Sequence, residues 1–78
     1  MTTTLAGLVA RLVEELLPYS KRLVVEPLSD NRAEIRVTCR ALVLECKTVV
    51  HRIQRGLRDA TIYTEHTGPG GLRLEAVI

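Results

Sequence analysis

The sequence predicts an α+β fold, a two-layer sandwich in which two helices cover one face of a four-stranded antiparallel sheet. Three observations carry this. Two stretches place apolar residues at the 3.6-residue period, and four shorter ones are rich in strand formers or alternate apolar with polar residues. Within each pair of strands, turn-forming residues intervene. The resulting order, α-β-β-α-β-β, repeats one supersecondary unit, and stacking both helices on one sheet face is its natural closure. If the last strand enters beside the first hairpin, the arrangement is a permuted ferredoxin-like sandwich.

In chain order, Leu5, Leu8, Val9, Leu12, Val13, Leu16 and Leu17 define the first helix. A threonine of the Thr2-Thr3-Thr4 run can cap it, because its hydroxyl accepts an otherwise unpaired backbone N–H. Pro18 stops it by pushing its predecessor out of helical geometry. Arg22 to Leu28 is an apolar strand in which Pro27, lacking an N–H, belongs at an end or on an edge. Ser29-Asp30-Asn31 turns the chain, and Ala33 to Thr38 returns with Ala33, Ile35 and Val37 on one face and Glu34 and Arg36 on the other. A second helix is expected from about Arg40 to Asp59, or from Glu45 if ALVLEC begins as strand. Its buried face holds Leu42, Cys46, Val49, Val50, Ile53 and Leu57. Thr61 to Glu65, the loop Gly68-Pro69-Gly70-Gly71, and Leu72 to Ile78 form the last hairpin.

Residues 1–78 make one small domain. With no Phe or Trp and only Tyr19 and Tyr63 as aromatics, its core is aliphatic. Chains of this size bury only about 60% of their unfolded surface, so association with a partner is expected. Arg11, Glu14 and Glu15 interrupt the apolar residues of the first helix, so it resembles neither a leader nor a membrane span, and the chain reads as cytoplasmic.

Catalytic patterns are missing. The chain holds no GxSxG, no P-loop and no HExxH, and its glycine-rich loop joins two strands instead of preceding a helix. Cys39 and Cys46, if both helical, share a face about 10 Å apart, beyond the ~7 Å Cα separation a disulfide tolerates. They read as two small buried apolar residues that do not pair. With only His51 and His66 to join them, no metal-ligand spacing arises, and no cofactor is expected.

On the second helix Arg40, Lys47, His51, Arg55 and Arg58 lie away from the core face as a basic stripe. Such a stripe can track a phosphate backbone, and it equally describes an ordinary solvated face with cations near the helix C-terminus. Sheet-face stacking of single-stranded bases takes two or three aromatics, and here only Tyr63 is available. The second sheet face carries Val24, Tyr63 and Val77 among Glu34, Arg36, Arg73 and Glu75, a surface suited to a homodimer or to a heterodimer with a related subunit.

The helix ending EELLPYS, the strands RLVVEPL and AEIRVT, and the helix LECKTVVHRIQRGLRDA follow in an order that resembles the small dimerisation subunit of the KEOPS transfer-RNA modification complex, over residues 5–60. The resemblance implies a non-catalytic subunit that pairs with a like subunit, sits in a larger protein complex that makes threonylcarbamoyl-adenosine, and helps bind transfer RNA. Beside it stand two alternatives: a module for a small molecule or effector, and a generic RNA-binding domain.

Overall fold

The structure, a computed structural model, describes residues 2–78. Its elements are α1 (Leu5–Leu16), a 3-10 turn (Leu17–Tyr19), β1 (Ser20–Ser29), β2 (Arg32–Cys39), α2 (Val43–Arg55), β3 (Thr61–His66) and β4 (Gly71–Val77). All pairings are antiparallel and the sheet order is β1-β2-β4-β3. The last strand therefore enters the sheet beside the first hairpin.

The Thr4 hydroxyl accepts the Gly7 N–H at 3.0 Å and starts α1. Leu8, Leu12 and Leu16, four residues apart, are its buried stripe. Pro18 falls inside the 3-10 turn, which tightens the helix end and leaves Leu17 outside, 58% exposed. Val13, one of the apolar residues that define the helix, is half-buried at the edge of the stripe. Against α1 and α2 lie Ala33, Ile35, Val37 and Cys39 of β2, Ile62 of β3, and Leu72, Leu74 and Ala76 of β4. From α2 come Cys46, Val49, Val50 and Ile53.

The second helix is shorter than its apolar period suggested. Three residues, 40–42, cross from β2 before it begins. Leu42, expected on the buried face, is instead the flanking N-terminal residue and is 66% exposed. The Glu45 carboxylate accepts the Leu42 N–H at 3.4 Å and fixes the start there. Gly56 ends the helix, so Leu57, Arg58 and Asp59 lie beyond it, and Leu57 covers the core from the loop. Asp59 is tied to Thr3, accepting its N–H at 2.8 Å and its hydroxyl at 2.6 Å. Ile78, expected within the last strand, lies past the end of β4 and is exposed.

Strand β1 is an edge, which is where Pro27 is tolerated. Its register shifts next to Ser20 and next to Pro27. Val25 faces the helix layer, opposite Ile35, yet is 41% exposed because neither helix reaches over it. The β3–β4 loop needs Gly68 and Gly70, whose φ angles are +89° and +74°.

Candidate nucleic-acid interface

Lysine and arginine fall into two sets. Arg11, Arg32, Arg36, Arg52 and Arg73 are held by carboxylates. Among the described residues, Lys21, Arg22, Arg40, Lys47, Arg55 and Arg58 form no ion pair. The difference has a structural origin. Arg11 and Arg52 converge on Glu15 at 2.9 and 3.0 Å across the α1–α2 seam. Arg32, Arg36 and Arg73 join Glu34 and Glu75 on the face of the sheet opposite the helices. These partners hold the carboxyls of Glu15 and Glu34 below their ordinary range, through Arg11 and then Arg52 for Glu15, and through Arg36 and then Arg73 for Glu34.

The unpaired set is distributed over α2 and one end of the sheet. Lys47, His51 and Arg55 follow each other at four-residue spacing, so they span about 12 Å of the helix. His51 and Arg55 are exposed, whereas Lys47 is half-buried. Lys47 sits about 100° around the helix from Cys46, on the shoulder of the buried face. Arg40 and Arg58 do not belong to this helical stripe, because α2 begins after the first and ends before the second. Arg40 stands at the end of β2, where its N–H bonds the Tyr19 carbonyl at 2.8 Å. That places it beside Lys21 and Arg22 at the start of β1, next to the α2 N-terminus. Arg58 lies at the opposite end of α2, near Arg55. The helical stripe is thus Lys47, His51 and Arg55, with Lys21 and Arg40 beyond its first end and Arg58 beyond its last, while Arg22, opposite Thr38, belongs to the uncovered face of the sheet. Lys21 and Arg22 were not singled out in the sequence; strand pairing to the end of β2 is what brings them in.

A cleft of about 460 Å³ opens at the same end of the sheet, on its uncovered face. Arg22, Arg36, Thr38 and Thr67 supply its polar wall. Arg36 is engaged by Glu34, whose hydrogen bond also raises the guanidinium pKa, so Arg22 is the uncommitted cation of the cleft.

The proposed partner face is also resolved residue by residue. Val24 pairs with Arg36, Tyr63 with Glu75, and Val77 with Arg32 and Thr61. All three project from the uncovered face, Val24 at 44% and Tyr63 at 58% exposure. The ion-pair lattice of β2 and β4 lies between Val24 and Tyr63, so they make no continuous apolar patch. A more contiguous apolar surface is a groove of about 440 Å³ between α1 and β1, lined by Leu5, Val9, Val25, Pro27 and Ala33 among others.

Cys39 and Cys46 are not on one helix. Cys39 ends β2 and Cys46 lies in the first turn of α2, and the two buried sulfurs are 2.7 Å apart. The expectation of a 10 Å separation fails because its premise, a helix running through residue 39, fails. Burial, reinforced by the hydrogen bond with Cys39, pushes the Cys46 thiol up to about 12. Among the described residues, no three of His, Cys, Asp and Glu converge as metal ligands, and no helix is long and apolar enough to cross a membrane. No known protein family, curated protein or solved structure compared with this chain matches it.

Proposed function

We propose that the chain is a non-catalytic binding and assembly subunit that holds a nucleic-acid phosphate backbone with its unpaired cations and joins a protein partner. The observation that carries this reading is the division of the cations. Side chains already neutralised by Glu15, Glu34 and Glu75 gain little from a polyanion, whereas Lys21, Arg22, Arg40, Lys47, Arg55 and Arg58 have no such partner to give up. The resemblance to the KEOPS dimerisation subunit makes transfer RNA the first substrate to try. The partner part of the reading is supported by the uncovered edge strand, where Val24, Val25 and Leu28 are each more than two-fifths exposed.

Transfer RNA binding should weaken linearly with log salt between about 50 and 200 mM, the signature of counterion release. In a Lys47→Ala/Arg55→Ala/Arg58→Ala variant the slope should flatten by about one unit per cation removed. An Arg11→Ala/Arg52→Ala variant, stripped of paired cations, should keep the slope. Gel-shift titration reads both, and equal slopes for all three proteins would remove α2 from the interface. Sedimentation checks the partner part: a chain that stays monomeric at micromolar concentration needs a different subunit, not a copy of itself.

The cleft gives an effector-binding module a specific footing, since Arg22, Thr38 and Thr67 could together hold a small anion. Arg22→Ala then abolishes binding of inorganic phosphate while the α2 triple variant retains it.

A further inference from the structure

The geometry points to a dithiol modification site: Cys39 and Cys46 are placed to close an intramolecular disulfide, with a low-molecular-weight disulfide as the oxidant. Their sulfurs approach to 2.7 Å, and both backbones are anchored where this approach is set. Cys39 pairs with Ser20 of β1 and donates its N–H to the Gly70 carbonyl at 2.7 Å. Cys46 sits in the first turn of α2, its sulfur 3.8 Å from the Tyr19 carbonyl oxygen. No large backbone movement is needed to bring these side chains together, which is the usual obstacle to forming a disulfide.

The reaction balances as an exchange. Cys39, 6% exposed against 0% for Cys46, is the less completely buried of the two, so it is the one that loses its proton to solvent and attacks one sulfur of the small disulfide. That S–S bond breaks, one small thiolate leaves and takes up a proton, and a mixed disulfide remains on Cys39. Cys46 then gives up its proton, attacks the Cys39 sulfur and expels the second small thiol. Two electrons pass from the protein sulfurs to the reagent, which ends as two thiols. Cys46 is placed to be the second nucleophile, because its sulfur lies 2.7 Å from that of Cys39; burial holds it as a thiol, which makes its deprotonation the slow part of this step. The product bond spans the 40–42 joint and fastens the start of α2 to the end of β2.

The test incubates the folded chain with excess oxidised glutathione, then alkylates it in denaturant and weighs it. The expected product is two hydrogens lighter, carries neither glutathione nor alkyl groups, and yields a tryptic pair of residues 37–40 joined to residues 41–47. Its melting temperature should rise by on the order of 10 °C and return on reduction with dithiothreitol. A Cys46→Ala chain should stop with one glutathione on Cys39, and one that stays free of adduct overturns the assigned order of attack. Wild-type mapping decides the site independently of whether that variant folds. A wild-type chain that alkylates at both thiols, retains glutathione on either, or joins only to a second chain overturns the proposal.

Discussion

Glu34 lies on the face of the sheet that neither helix covers, yet it is only 6% exposed, because Arg36 and Arg73 close over it from its own strand and the neighbouring one. Its carboxyl pKa is depressed first by the hydrogen bond from Arg36 and then by Arg73. A depressed carboxylate stabilises the fold above its unfolded value, near 4.5, and that contribution is lost as pH falls through the lower folded value. Glu34→Gln should therefore lower stability at neutral pH and flatten the fall below pH 4.5. Urea unfolding at several acidic pH values measures this, and two parallel curves would assign the acid sensitivity elsewhere. Alternation in AEIRVT placed Glu34 and Arg36 on this face from sequence alone. Arg73 was placed on the same face, but its pairing with Glu34 was not legible, because the two stand 39 residues apart and strand order decides whether they meet. The two thiols were misjudged for a related reason. Their seven-residue spacing fits one helical face, and only the end of β2 at Cys39 shows that the spacing crosses a joint.

Element boundaries follow the same division. Apolar period located α1, both hairpins and the buried side of α2, since these patterns are local. The ends of α2 were less legible because RALVLEC is apolar without a preferred period, and the residue that sets the start, Glu45, acts through a side-chain hydrogen bond. Gln54 is a second such residue. Its amide N–H donates to the Ala60 carbonyl at 3.2 Å and its oxygen accepts the Ile62 N–H, so α2 grips the first turn of chain leading into β3. Nothing in the pattern marks Gln54 beyond its polarity on a flank. Gln54→Ala leaves a backbone donor and a carbonyl without these partners and should cost roughly 1–3 kcal/mol, less if water reaches them. An unchanged denaturation midpoint would mean that solvent replaces the grip in full.

For the whole molecule, the α+β class and the two-layer closure were legible, whereas strand order was not, because no local pattern says which hairpin edge meets which. That order also sorts the arginines of the sheet, since it decides which of them face Glu34 and Glu75. The central β2–β4 ladder has a further consequence. It joins the first α-β-β unit to the second through seven residue pairs, from Arg32 opposite Val77 to Thr38 opposite Gly71. Covalently the same two units share only the short joint at 40–42. Each half alone would leave an unpaired sheet edge and the apolar faces of Leu12 or Ile53 in water, and the other half supplies what is lacking. The chain is laid out as two α-β-β units, consecutive in one polypeptide, that pair across this ladder. Expressed as separate peptides divided after Arg40, the halves should each be unstructured alone and should recover the circular dichroism of the intact chain when mixed. If they stay unstructured together, the joint contributes more than the ladder it spans, and the effective concentration it provides is what holds the fold.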